Sequence, residues 1–474
     1  PTGDPNTFKT IIRITDSNVT ASSGPSAAIG SGSYSTNATE IHINGGKIEA
    51  SNYSGSAIGS GDSAKGKTGI YITGSNVTAT ADIGTGIGSG TSSSGETTID
   101  ISGGTVTAMG GGDGYDGSAG IGSGSHSTGY THITLHDGVT VKATGGGNSS
   151  LGGGGGAGIG SGNRAKGNTD ILIKGATKVT AKGGSTAAGI GSGNGSNGST
   201  IINIEGGTIT AEGGGKENGS CQASGAGIGS GGNALNKTTI NIKGGEITAT
   251  GGVSLDSRNH SDKWLSGAGI GSGSNVSGET EINISGDSTI KSASGGKYGG
   301  AGIGSGSYSG STPDSKKGAV TINITGGNIE KATGGGEYVS SSKRWYSGAG
   351  IGAGLNAGTT TINIKDNAHI VSATGGKYGG AGIGSGSSDT KNNSKKGAVT
   401  INITDGTIEK AEGKNGGAGI GSGYYGRSST VNISGNAELK DVKGGNLAAG
   451  IGSGYDSDKV DVVIDGGTIN ATGG

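Results

Sequence analysis

An all-β chain wound as a parallel β-helix, a solenoid of about thirteen coils with three short strands each, follows from one recurring phrase, from a second pattern between its copies, and from the lack of any helical period. The phrase is "GGAGIGSGSYSG", Gly299 to Gly310. Its centre returns in near-identical form with the isoleucine at Ile29, Ile58, Ile87, Ile121, Ile159, Ile190, Ile228, Ile270, Ile303, Ile351, Ile383, Ile420 and Ile451, at spacings of 29 to 48 residues. Glycine supplies 115 of the 474 residues, against a usual share of about 7%. Without a period such a bias would signal disorder; with one it signals stacked units. No composition shift or proline-rich linker interrupts the copies, so residues 1–474 read as one continuous domain.

The first strand of each unit is of the type Ile99, Asp100, Ile101, and the second of the type Val106, Thr107, Ala108, with a Gly-Gly or Gly-Asp corner between them. Apolar and polar residues alternate, the mark of a half-buried strand. The third strand is the phrase itself, as in Ala119 to Ser123. Strands this short satisfy their backbone only beside the same strand of the next unit, about 4.8 Å away, which makes a stack about 60 Å long. From the ninth coil on the second strand gains a residue, as in Ile290 to Ala293 and Ile408 to Ala411, and a bulge or moved corner is expected there. The residue between the two isoleucines of the first strand is asparagine in seven consecutive coils, from Asn203 to Asn432, and predicts stacked amides along the axis.

In A-G-I-G-S-G the alanine, isoleucine and serine share one face and the glycines the other. Two readings stay open: glycines at corners that need positive φ, or a flat face of bare backbone used for contact, including self-association. A phosphate-binding loop is excluded because no helix follows any copy.

Other chemistry is thinly represented. His132 and His136 lie on an alternating strand, where such positions are about 13 Å apart, too far to share zinc. "GGDGYDG", Gly111 to Gly117, carries Asp113 and Asp116 in a glycine loop able to hold calcium; no other cofactor is expected. An enzyme would need grouped carboxylates. Glu330 and Glu409 occupy matching positions, but Val371 stands between them, so a polysaccharide-degrading activity is the lesser alternative. Threonine pairs such as Thr105 and Thr107 begin an ice-binding array that Lys142, Lys178 and Glu246 break up.

The 34 basic and 35 acidic side chains nearly cancel, so neither nucleic acid nor an anionic membrane is the implied partner. The single cysteine, Cys221, rules out an internal disulfide framework. No apolar stretch approaches the roughly 20 residues of a membrane span. The C-terminal "KVDVVIDGGTINATGG" supplies two strands of a fourteenth coil and stops, so a longer protein is expected.

The alternation of "GGTITA" or "GGTVTA" with "GAGIGSG" resembles the repeat regions of secreted and wall-attached surface proteins of Gram-positive gut bacteria, and is similar to β-helical carbohydrate-binding domains. That resemblance covers essentially the whole chain and implies an extracellular or cell-wall setting. It places no binding residue.

The residues that vary lie in the loop before each A-G-I-G, where a repeat scaffold usually carries recognition. "SDKWLSGAGIGSG" and "SKRWYSGAGIGAG" match, and "GGKYGG" occurs at Gly295 and again at Gly375, so Trp and Tyr coils alternate. Trp264, Tyr298, Trp345 with Tyr346, and Tyr378 are expected to form a ladder on which sugar rings stack, with Lys297, Arg344 and Lys377 adding hydrogen bonds. The expected function is a bacterial surface adhesin or its stalk, without enzyme activity, whose partner is a host or microbial glycan or glycoprotein. The alternative is a purely structural extracellular spacer or fibre subunit.

Overall fold

The computed structural model describes residues 9–147, 153–215, 223–256, 263–309, 314–339, 344–388 and 397–474; Cys221 lies outside them. Coils are numbered by their third-strand isoleucine, from Ile29 in coil 1 to Ile451 in coil 13. Coil 4 shows the pattern, with strands Thr97–Ser102, Thr105–Met109 and Ile121–Gly122. Each lies parallel to its counterpart in coil 5 without register shift, so that Ile99 meets Ile133, Val106 meets Val141 and Ile121 meets Ile159. Repetition of this pairing puts all third strands into one 13-stranded sheet in coil order. First and second strands share a second, 27-stranded sheet, because in some coils one strand runs round the corner, as Thr200–Glu212 and Thr238–Thr250 do. The fold is the parallel β-helix that the repeats predict. A fourteenth coil begins as Val460–Thr472, paired on Ser429–Lys443.

Alternation decides what is buried. Ile99, Ile101, Val106, Ala108 and Ile121 of coil 4 are fully buried, and their counterparts run through the molecule as one apolar cluster. No coil closes this core by itself, because each apolar side chain is covered by the same residue type above and below it.

The glycine after each of these isoleucines has φ between 128° and 148° in all thirteen coils, a conformation that costs an L-residue strain. In twelve of them, from Gly30 to Gly421, a Cβ would also lie 1.7 to 2.1 Å from the carbonyl oxygen of the next coil's glycine. Positive φ and close approach thus require glycine together. From coil 2 to coil 13 these glycines are buried. Of the two readings of these glycines, the backbone shows positive φ, and the neighbouring coils cover them, so they do not form a bare face. The serine of the phrase serves the same stacking. Its hydroxyl accepts the N–H of a glycine in the next coil, as Ser60 does from Gly90 at 3.1 Å and Ser305 from Gly354 at 2.8 Å.

The extra residue of the later coils is a bulge. Ile247 pairs with Ile290 but Thr248 pairs with Ser292, which leaves Lys291 over. From coil 10 to coil 12 the second strand is split in two, as at Asn328–Ile329 and Ala332–Thr333.

The amide column also forms. Asn241 donates to Asn203, and Asn283, Asn323, Asn363, Asn402 and Asn432 each donate to the asparagine one coil earlier, Nδ2 to Oδ1 at 2.8 to 2.9 Å. It is bounded by apolar residues, Leu172 below Asn203 and Val463 above Asn432.

Candidate functional site

The loops between second and third strands differ most from coil to coil. Those of coils 8 and 10 rise as antiparallel hairpins, Val253–Asp256 with Lys263–Ser266 and Gly336–Val339 with Arg344–Ser347. Coils 9 and 11 carry the short "GGKYGG" turn instead.

Period-two alternation along Arg344–Ser347 sends Trp345 and Tyr346 to opposite faces. Tyr346 faces inward and is 5% exposed; Trp345 is 43% exposed. Tyr298, in the turn of coil 9, lies between the two hairpins. Trp264 meets its ring edge-on at 4.6 Å and Tyr346 at 6.3 Å, and it packs with Tyr346, Val339 and Leu355 in a second small core, with Trp264 and Val253 at its margin. Lys297 Nζ lies 5.0 Å from the Tyr298 ring centre. The expected ladder is thus divided. Trp264, Tyr298 and Tyr346 hold the hairpins to the coils, and burial withdraws Tyr298 and Tyr346 from any ligand.

Tyr378 has the same local sequence as Tyr298 and a different neighbourhood. A hairpin stands on its coil 10 side only; coil 12 offers just the short turn around Asn415. Its ring therefore remains half-exposed, 4.8 Å from Trp345, with Lys377 Nζ 5.1 Å from its centre. Tyr338, directly across the hairpin from Trp345, packs on it at 4.3 Å. Trp345, Tyr378, Asn415 and Tyr424 line a depression of about 230 Å³, with room for one sugar ring. The side chain of Arg344 lies outside the described ones.

Tyr338, Asn415 and Tyr424 are the members that loop reading misses. Tyr424 follows the third strand of coil 12, and its N–H donates to the Gly379 carbonyl at 2.7 Å. Tyr455 repeats the arrangement one coil later on Gly416, and its ring stacks on Tyr424 at 5.2 Å and 10°. Burial, with the Tyr425 hydroxyl next, pushes the Tyr424 phenol well above its ordinary range. The one available sequence signal is tyrosine after I-G-S-G beside a glycine turn.

The other candidates fall elsewhere. Asp113 Oδ1 accepts the N–H groups of Tyr115 and Asp116 at 3.0 and 2.9 Å. Asp116 accepts from Asn163 and lies 3.8 Å from Arg164. Both carboxylates are thus engaged by donors of their own loop and the next coil. Glu330 pairs with Lys291 at 2.7 Å, and Glu409 with Lys440 at 3.0 Å and His369 at 3.3 Å. Among the described residues no three His, Cys, Asp or Glu side chains gather as a metal site, and no helix is long and apolar enough to cross a membrane.

His132 and His136 enter separate ion pairs, His132 with Glu96 and Asp170 at 3.8 Å, His136 with Asp100 at 2.9 Å and Asp137 at 2.7 Å. The Asp100 hydrogen bond, against some desolvation, raises the His136 pKa. A raised folded-state value means that this pair stabilises the fold below the ordinary histidine pKa and ceases to do so as pH rises through the raised one. Imidazole NMR titration is expected to place His136 above the ordinary histidine value, and Asp100→Asn to lower it. An unmoved His136 in that variant contradicts the assignment.

Comparison with known proteins adds architecture. The profile of a family described as "Beta helix repeat" matches residues 12–33, 41–62, 99–125, 171–194, 202–232, 240–274, 282–307, 322–355 and 401–424, just over half of the chain. No curated protein and no solved structure matches it.

Proposed function

The chain belongs to the β-helix repeat family, and since that membership fixes architecture but no activity, we propose that it serves as an extracellular bacterial surface adhesin, or the binding part of its stalk, and holds a glycan on the outer aromatics of coils 10 to 12. The observation that carries this reading is the depression between Trp345, Tyr378 and Tyr424, with Asn415 as its one amide. The exposed Trp345 ring and the half-exposed Tyr378 ring, 4.8 Å apart, leave a hydrated apolar surface, and a sugar ring covers such a surface with its C–H face while its hydroxyls reach an amide or an ammonium. Lys377 supplies the ammonium.

The spacer reading has its own support in Tyr298 and Tyr346, whose burial gives the hairpins a mechanical purpose. The two readings part on one experiment. Trp345→Ala with Tyr378→Ala is expected to weaken glycan binding about tenfold or more while the melting temperature stays put. Tyr298→Ala, the control, should lower the melting temperature. A glycan array on which the parent chain binds nothing, or an outer variant that only loses stability, decides for the spacer.

A further inference from the structure

We propose that the asparagine column is the floor of a second binding site, on a different face of the solenoid, and that its ligand is an extended, uncharged polysaccharide chain lying along the axis. A groove of about 580 Å³ runs over coils 9 to 12, lined chiefly by Asn283, Asn323, Asn363 and Asn402 with Thr325 and Thr404 on its flank. The six amide-to-amide bonds fix the side chains in one orientation, so a ligand has little side-chain entropy to overcome. Each amide uses one N–H and one lone pair on its neighbours. The second N–H of Asn323, Asn363 and Asn402 has no partner among the described residues. The surface is therefore a preordered row of donors and acceptors, one set per coil, flanked by hydroxyls.

Spacing and charge select the ligand. An extended peptide laid along the axis presents its N–H and C=O groups to one side every second residue, about 6.7 Å apart, out of step with coils about 4.8 Å apart. A polysaccharide in extended form advances by nearly one coil per sugar and offers hydroxyls at each step. Lys365 is the one charged residue of the groove; the nearby Glu281 pairs with Lys237 at 2.6 Å. A single cation does not match a polyanion, so the neutral chain is preferred over an acidic one. Ice would require a flat array, and Lys365 stands exposed within this one.

The test uses the full chain with asparagine side-chain amides observed by NMR. Cellohexaose, xylohexaose and mannohexaose are the neutral probes, a hexagalacturonate the acidic one. At least one neutral probe is expected to shift the amide signals of Asn323, Asn363 and Asn402. Thr325→Val with Thr404→Val, which keeps the column and the β-branched shape, should weaken that binding about tenfold. Trp345→Ala with Tyr378→Ala should leave it unchanged, which separates this site from the aromatic one. The proposal is overturned if no neutral probe moves these signals, if the hexagalacturonate binds as tightly, or if the aromatic variant removes the shifts and the threonine variant does not. Freezing-point hysteresis without saccharide binding overturns it in favour of ice.

Discussion

Gly160→Ala is expected to cost about 4 kcal/mol, far more than a methyl group usually does, from backbone strain of about 1–3 kcal/mol and the loss of one or two interstrand hydrogen bonds. Gly160 has φ 137°, and its added Cβ would stand 1.8 Å from the Gly191 oxygen. That atom is backbone and cannot swing aside. Coils 5 and 6 must separate locally, breaking the pairing of Ile159 with Ile190. Because coils 5 and 6 bond mainly to the coils next to them, the damage stays local. Hydrogen exchange should speed up in coils 5 and 6 and remain slow in coils 11 and 12. Gly138→Ala is the control: its φ of 75° imposes strain, but nothing lies within 4 Å of the new methyl, so about 1 kcal/mol is expected. Equal melting temperatures for the two variants would show that close approach between coils is not what demands glycine.

Ile303→Asp should be as damaging for another reason. Ile303 is fully buried, between Ile270 and Ile351 of the adjoining coils. A carboxylate there meets only aliphatic neighbours in its column, and lost burial with an unpaired charge should cost about 4 to 5 kcal/mol. Desolvation would raise its pKa, so the cost should shrink as pH falls and the group takes up a proton. Protease sensitivity around coils 8 to 10 and a melting curve at two pH values check both points. A variant as stable and as resistant as the parent would place Ile303 outside the core.

What could be read in advance depended on whether a residue acts through its own column. Ile99, Val106 and Ile121 announce the fold because each repeats at one position in every unit, and Asn203 to Asn432 announce their ladder for the same reason. The glycines were ambiguous, since a sequence shows neither φ nor the distance to the next coil. The aromatic site was legible only in part. Trp345 and Tyr378 stand out in their loop, yet Tyr298 shares the motif of Tyr378 and is buried, because two hairpins flank it where one flanks Tyr378. Tyr424 comes from a different corner of the coil, and only the winding of the chain brings it to Tyr378.

The bonds that join coils run along the axis of the stack, and this fixes how the molecule answers a load. A pull from end to end loads every coil interface equally, in series, and a terminal coil, held by a neighbour on one side only, is the first to peel off. A coil about 4.8 Å tall then becomes about 100 Å of extended chain for its roughly 30 residues. Sideways force is shared among many interfaces at once and meets a stiff body. A chain wound this way is rigid against bending yet yields stepwise under tension, lengthening about twentyfold per released coil, while the coils still wound keep any ligand they hold.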